Sequence, residues 1–138
     1  EPLPYLTDAF DILPVEIIKG KTDYLFVFEN EEAIRNIVPH IENIAKIPAR
    51  GVIITAPGNK VDFVSRFFAP QSGVIEDTVT GSAHTTLTPY WADKLHKTTL
   101  TAIQLSERQG HLTCTLLNDR VEISGQARHY LTGEIFVE

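Results

Sequence analysis

The sequence predicts an α+β fold in which β-strands wrap around one long helix. Apolar residues in 83–95 recur at helical spacing, and this is the longest helical pattern in the chain. From residue 100 onward the segments are rich in strand-forming residues and are separated by turn residues. Strands and helices do not alternate regularly, so a parallel sheet built from βαβ units is not expected.

The first half of the chain predicts a hairpin, two short helices and two further strands. Three prolines in residues 1–14 limit that segment to a short amphipathic turn around Leu6, Phe10 and Leu13. The elements expected next are a hairpin of residues 15–19 and 24–28, helices at 31–38 and 40–47, and strands at 51–56 and 61–69. The run at 51–56 is almost entirely apolar, which is typical of a buried strand.

The second half of the chain centres on the helix at 83–95. Its wide apolar face predicts a central, enclosed helix, and Trp91 and Tyr90 on that face are expected in the core. Pro89 is expected to kink this helix or to free one of its carbonyls. The strands expected after the helix are residues 100–105, 112–117, 121–127 and 129–137.

Composition and charge exclude several classes of protein. With 138 residues, 43% of them apolar, the chain is long enough for one domain with a core of its own. No apolar run approaches the 18 or so residues of a membrane span, and a net charge of -6 disfavours nucleic acid. The single cysteine, Cys114, excludes an internal disulfide and a multi-cysteine metal site. A reducing, cytoplasmic location is therefore expected.

The segment 76–84 (EDTVTGSAH) has the composition of an anion site. Two acids, then hydroxyl residues and a glycine, come directly before the long helix, and free N–H groups and a partial positive charge lie at such a helix start. Asp77 could act as an acid or base, while Gly81 and Ser82 suit carboxylate binding. The alternative is that these residues only cap the helix, which is worth about 1 kcal/mol per cap.

Other reactive side chains have both a functional and a structural interpretation. His84 could face a cleft, but a buried structural histidine is the preferred interpretation. Arg66 could bind a carboxylate, but an ion pair with Asp62 or Glu76 is the preferred interpretation. Cys114 lies within a predicted strand and is expected to be a small buried residue. The five histidines lack ligand spacing, so no metal and no cofactor are expected.

Several separated motifs together resemble one known family. They are residues 62–70 (DFVSRFFAP), 76–84, 87–91 (LTPYW), 104–110 (QLSERQG) and 120–125 (RVEISG). In this order they are similar to the C-terminal half of the PhzF-like family, which is named for the phenazine-biosynthesis isomerase and shares the diaminopimelate-epimerase-like fold. The resemblance runs from about residue 13 to the end of the chain.

The resemblance implies an architecture and an activity. Family members have two similar halves, each a β-barrel-like, mixed or antiparallel sheet around one central helix, with the active site between the halves. Residues 1–138 would be one such half, a single domain. The N-terminal half would be its partner and would supply a catalytic glutamate and a Gly-His pair, so this chain alone is expected to be inactive.

The resemblance also assigns roles to residues of the segment 76–84. Asp77 would be the catalytic residue and Gly81 and Ser82 would bind substrate, with His84 as a further substrate-binding candidate. Thr78 stands where the family usually has proline. The expected function is a cofactor-independent isomerase or epimerase that moves a proton on a small carboxylated metabolite. The alternatives are a non-catalytic small-molecule binding or dimerisation module, which would form a homodimer, and an amino-acid racemase with a cysteine base.

Overall fold

The protein, seen here as a computed structural model, is described over residues 4–138. The helices are α1 (Pro4–Thr7), α2 (Glu31–Asn36), α3 (Ile41–Ile44) and α4 (Gly81–Leu95), with a 3₁₀ turn at Pro70–Ser72. The strands are β1 (Glu16–Lys19), β2 (Asp23–Val27), β3 (Gly51–Pro57), β4 (Phe63–Phe68), β5 (Thr99–Gln104), β6 (Gly110–Leu117) and β7 (Arg120–Ser124). The α+β class and the hairpin of β1 and β2 are as predicted.

All seven strands form one open sheet in the order of the chain. The pairs β2–β3 and β4–β5 are parallel, and the other four pairs are antiparallel. Strand β1 pairs only with β2 and β7 only with β6, so both are edge strands and the predicted barrel is wrong. Each parallel pair is joined by a helical crossover, α2 and α3 in the first case and α4 in the second.

Helices cover both faces of the sheet. On one face, residues such as Val52, Ile54 and Phe68 pack with α1, α2 and α3, and on the other face Ile53 and Phe63 pack with α4. Because β3 is covered on both sides, it is an almost continuous apolar run, whereas β4 carries Ser65 and Arg66 in its middle. The prediction of a single central helix is therefore not confirmed, since α4 is central to one face only.

Helix α4 begins and ends at clear backbone signals. Thr80 before it is extended, with φ −116° and ψ 99°, and His96 after it adopts the left-handed conformation, with φ 53° and ψ 44°. Pro89 lies inside the helix, where its missing N–H leaves one carbonyl of the preceding turn without its helical donor. The buried face consists of Ala83, His84, Leu87, Thr88, Trp91 and Ala92.

Trp91 anchors α4 to the sheet. Its ring is nearly parallel to that of Phe63, with centroids 6.0 Å apart, and its Nε1 donates to Thr55 Oγ1 at 2.9 Å. The prediction that Trp91 belongs to the core is confirmed. Tyr90 is only half-buried at the edge of the core, and its hydroxyl donates to Glu16.

The largest error of the sequence prediction is the strand at 129–137. Residues 125–138 form no helix or strand, and this part of the chain is exposed. Its apolar side chains include Tyr130, Ile135 and Phe136, which are 98%, 87% and 94% exposed. The alternating pattern suits a strand, but a strand also needs a neighbour with free N–H and C=O groups. Strand β7 ends at Ser124, before the predicted residue 127.

The predicted helices of the first half are shorter in the structure. Helix α2 ends at Asn36 and α3 covers only Ile41–Ile44. The turn predicted around Leu6, Phe10 and Leu13 buries the first two side chains but leaves Leu13 71% exposed. Among residues 4–138, no helix is long and apolar enough to cross a bilayer.

We predict that Leu87→Ala destabilises the fold strongly. Leu87 is fully buried between α4 and the sheet, and truncating such a leucine costs about 2–5 kcal/mol in free energy of unfolding. The matched control is Leu95→Ala on the same helix, where the side chain is 36% exposed and the expected cost is below about 1 kcal/mol. Urea unfolding of both variants measures the difference, and equal losses would contradict the described packing.

We predict that His84 makes the fold less stable in mild acid. Burial lowers the pKa of His84 below its ordinary value of 6.5, although its hydrogen bond to the Thr80 carbonyl opposes this. As the pH falls below about 6.5, His84 binds a proton in the unfolded chain more readily than in the folded chain. The free energy of unfolding therefore falls by at most about 1.4 kcal/mol per pH unit.

The measurement is urea unfolding between pH 7.5 and pH 5. The variant His84→Gln should flatten the dependence on pH, whereas His111→Gln, at an exposed site, should leave it unchanged. An unaltered slope in His84→Gln would show that His84 is not the responsible group.

Candidate active site

The segment 76–84 lies in the crossover between the parallel strands β4 and β5. After β4 the chain makes the 3₁₀ turn at Pro70–Ser72, and Gly73 then adopts φ 88°. The N–H of Asp77 donates to the carbonyl of Phe67 at 3.0 Å, which returns the chain to the end of β4. Helix α4 begins four residues after Asp77, so the crossover brings this side chain to the start of the helix.

The carboxylate of Asp77 is half-buried and is held by one of its two oxygens. Thr80 Oγ1 donates to Asp77 Oδ2 at 2.7 Å. Within residues 4–138, Oδ1 has no hydrogen-bond partner, so it is the oxygen that remains available to a ligand. The structure therefore brings the predicted catalytic residue to the helix start in a defined position.

The start of α4 presents N–H groups that have no acceptor within the described residues. These are the N–H groups of Gly81, Ser82 and Ala83, and Gly81 and Ser82 are exposed. No side chain caps the helix, because the hydroxyl of Thr80 donates to Asp77 instead. The capping interpretation of this segment is thus wrong for α4. A Cβ added at Gly81 would meet nothing within 4 Å, so there is open space beside the backbone of Gly81.

His84 does not reach this open space. The side chain is fully buried, and its Nδ1–H donates to the carbonyl of Thr80 at 2.7 Å. Its Nε2 is buried without a partner in the described structure, and its ring centroid lies 6.0 Å from that of Phe63. Burial lowers the pKa of His84, because it penalises the charged form of the ring. Its connection to Asp77 runs through Thr80.

Two side chains at the end of β5 hold the loop before α4. Gln104 contacts both Asp77 and Thr80, and Ser106 Oγ donates to the carbonyl of Thr78 at 2.7 Å. Val79 packs so closely on Gly110 that a Cβ there would overlap its side chain. Sequence analysis missed both Gln104 as a neighbour of Asp77 and Ser106 as a residue that holds the loop. The available signal was their position in the motif QLSERQG, where polar residues interrupt a predicted strand.

Arg66 is bound within the protein. Its Nε and Nη2 donate to the two carboxylate oxygens of Glu76 at 2.8 and 3.1 Å, and Nη1 donates to two backbone carbonyls at the end of α2. The predicted ion pair with Glu76 is confirmed, while Asp62 pairs with Lys97. The pair fixes Glu76, which is next to Asp77. It also occupies the Nε and Nη2 donors of Arg66 that could otherwise bind a substrate carboxylate.

Cys114 has no access to this site. It is fully buried in the core beneath α4, as predicted, and burial raises the pKa of its thiol. A racemase with a cysteine base would need a thiolate at the cleft, and Cys114 does not provide one. Among residues 4–138, no group of three His, Cys, Asp or Glu side chains is arranged to hold a metal ion.

A separate open cavity of about 410 Å³ lies between α4 and the β6–β7 hairpin. It separates the helix from the turn between β6 and β7, and it includes no residue of the segment 76–84. Its lining residues are Thr85, Pro89, Leu116, Asn118, Asp119, Arg120 and Val121.

Similar proteins include two solved structures from bacteria. A crystal structure of a phenazine biosynthesis protein of the PhzF family from Enterococcus faecalis has a TM-score of 0.90 and 40% identity, and the match covers 99% of this chain and 53% of that one. A putative phenazine biosynthesis PhzC/PhzF protein from Clostridium difficile has a TM-score of 0.89 and 36% identity, with 99% and 53% covered.

Curated relatives show the same partial coverage. An uncharacterized isomerase of Pseudomonas aeruginosa is 51% identical over 131 residues, which are 94% of this chain and 50% of that protein. An uncharacterized isomerase of Halalkalibacterium halodurans is 39% identical, over 96% of this chain and 51% of that protein. The chain spans about half the length of the curated relatives it matches. The sequence model of the family described as phenazine biosynthesis-like protein, PhzC-PhzF, matches residues 4–133, and the chain belongs to this family.

Proposed function

We propose that the chain forms one side of the active site of a cofactor-independent isomerase or epimerase, which moves a proton on a small carboxylated metabolite. Asp77 is its catalytic residue, and Gly81 and Ser82 bind the substrate carboxylate. One observation supports the proposal above all. Within residues 4–138, N–H groups without acceptors lie at the start of α4, beside a half-buried carboxylate with one oxygen that makes no hydrogen bond.

The N–H groups at the start of α4 and the carboxylate of Asp77 suit two different parts of one substrate. N–H groups at a helix start bind a carboxylate well, because they are donors and carry the positive end of the helix dipole. The missing Cβ of Gly81 lets the ligand approach the backbone closely. Oδ1 of Asp77 then accepts a hydrogen bond or a proton from a neighbouring group of the same molecule.

The reaction class follows from the names of relatives and from the chemistry of the site. Relatives from Pseudomonas aeruginosa and Halalkalibacterium halodurans are named uncharacterized isomerases. In a proton shift, a base removes a proton from carbon and the electron pair of the C–H bond forms a new double bond. The neighbouring double bond of the substrate breaks, and its electron pair takes up a proton from an acid at its far atom. Atoms and electrons balance within the substrate, so two carboxyl side chains suffice.

The second carboxyl group is assigned to a partner, the N-terminal half of the same protein. Exposed apolar side chains flank Asp77 in the sequence, namely Val74, Ile75 and Val79, which are 44%, 64% and 40% exposed. The exposed apolar side chains of residues 130–137 form another uncovered surface. Clustered apolar surface of this kind is typical of an interface. A second half that covers it would enclose the space above Gly81 and bring its glutamate to the substrate.

We predict that Asp77→Asn in the whole protein reduces turnover by about 10²- to 10⁴-fold, the usual contribution of a general acid or base. The fold should be intact, because asparagine keeps an acceptor for the Thr80 hydroxyl. Proton NMR in D₂O measures exchange of carbon-bound hydrogen in a panel of small aromatic and hydroxy carboxylic acids. The matched control is Asp93→Asn, at an exposed acid of α4.

Each outcome of this experiment separates the hypotheses. Exchange that depends on Asp77 and not on Asp93 supports the isomerase. Exchange that is unchanged in Asp77→Asn removes Asp77 from the mechanism. Carboxylates that shift the amide signals of Gly81 and Ser82 without any exchange would instead identify a non-catalytic binding module.

A further inference from the structure

Thr80 and Gln104 form a closed set of hydrogen bonds around Asp77. Gln104 Oε1 accepts from the N–H of Thr80 at 2.7 Å. Gln104 Nε2 donates to the carbonyl of Asp77 and to Thr80 Oγ1, both at 3.0 Å. Thr80 Oγ1 donates in turn to Asp77 Oδ2 at 2.7 Å. Both side chains are buried, with Thr80 6% and Gln104 1% exposed.

The backbone fixes the orientation of the Gln104 amide. Its oxygen faces a backbone donor, the N–H of Thr80, and its nitrogen faces a backbone acceptor, the carbonyl of Asp77. The reversed amide would place donor against donor and acceptor against acceptor. The two hydrogens of Nε2 are therefore both committed, one to the carbonyl of Asp77 and one to Thr80 Oγ1.

The amide in turn fixes the direction of the Thr80 hydroxyl. Because Oγ1 accepts a hydrogen from Gln104, its own hydrogen must point elsewhere, and the acceptor within reach is Asp77 Oδ2. His84 holds the same residue from its other side through the Thr80 carbonyl. One oxygen of Asp77 is thus bound by a donor of fixed direction, and the other is left unbound.

A purely structural role accounts poorly for the Thr80 hydroxyl. Gln104 also pairs with backbone groups of Thr80 and Asp77, but a buried hydroxyl costs free energy unless it is satisfied, and valine would fill the position of Thr80 without that requirement. Ser106 already ties the same loop to the end of β5 through the Thr78 carbonyl. What Thr80 adds is the contact with the carboxylate itself, and Gln104 fixes the direction of that contact through Thr80 Oγ1.

We propose that Thr80 and Gln104 are positioning residues that hold Asp77 in one rotamer, with Oδ2 bound and Oδ1 as the atom that meets the substrate. Whether this rotamer matters for turnover rests on the proposed function, but the rotamer itself does not. A mispositioned catalytic group loses rate chiefly in kcat, because substrate binding at Gly81 and Ser82 is left unchanged.

The test uses three variants of the whole protein. Thr80→Val keeps the side-chain shape and removes the hydroxyl, whereas Thr80→Ser keeps the hydroxyl. Ser106→Ala is the matched control, because it removes a buried hydroxyl that holds the same loop without touching Asp77. Should Thr80→Val fail to fold, Gln104→Met is used in its place, because it removes both N–H donors of the Gln104 side-chain amide. Circular dichroism and urea unfolding report the fold of each variant.

The first measurement needs no substrate. Three-bond NMR couplings to the Asp77 side chain should show a single χ1 rotamer in the wild-type protein, in Thr80→Ser and in Ser106→Ala. They should show averaged rotamers in Thr80→Val. A single Asp77 rotamer in folded Thr80→Val would overturn the proposal, whatever the enzyme does.

The second measurement uses a carboxylic acid whose hydrogen the wild-type protein exchanges. Thr80→Val should lower kcat by about 100-fold with KM changed only a few-fold, and Thr80→Ser should restore most of the rate. An equal loss in Ser106→Ala would show that the loop as a whole is responsible and would overturn the specific role of Thr80. If Asp77→Asn keeps full activity, the proposed function fails, and the rotamer result still decides the positioning.

Discussion

The parallel pairing of β4 with β5 is the constraint on which the site depends. Neighbouring parallel strands cannot be joined by a tight turn, so the chain must leave the end of β4, cross one face of the sheet and return to the start of β5. Helix α4 makes this crossing, and its first residues therefore lie near the end of β4. The segment 76–84 connects the two, which brings a carboxylate and a set of free backbone donors together.

The surroundings of this crossover make it rigid. The ion pair of Arg66 and Glu76 fixes the residue before Asp77. The polar side chains at the C-terminal end of β5 hold the residues after it. Beneath the helix start, burial lowers the pKa of His84, because it penalises the charged ring. A rigid frame suits a site that must hold its catalytic group in one position, since small displacements of reacting atoms are costly in rate.

Local patterns predicted the elements that local chemistry determines. The hairpin of β1 and β2, the buried strand β3 and the helix α4 follow from residue type and periodicity alone. The prediction of a strand at 129–137 was wrong. The alternation of side chains was suitable, but whether a neighbouring strand is present to pair with depends on the tertiary structure. The prediction of a closed barrel failed for the same reason, since the sequences of the edge strands β1 and β7 do not indicate whether these strands pair with each other.

The candidate site was predictable in part. Asp77, Gly81 and Ser82 stand in one short segment, and their chemistry is visible from residue type. Gln104 lies 24 residues from Thr80 in the chain, so only the pairing of β4 with β5 brings the two together. The burial of His84 agrees with the preferred structural interpretation, although the helical pattern alone does not distinguish a polar residue that faces the core from one that faces a cleft.

A crystal structure of the whole protein with a bound carboxylic acid tests the central claim most directly. The account predicts that one carboxylate oxygen of the ligand lies about 2.7–3.2 Å from the backbone nitrogens of Gly81 and Ser82, with Oδ1 of Asp77 facing the ligand. A carboxylate bound instead in the cavity beside Arg120, with Asp77 Oδ1 turned to solvent, would contradict it.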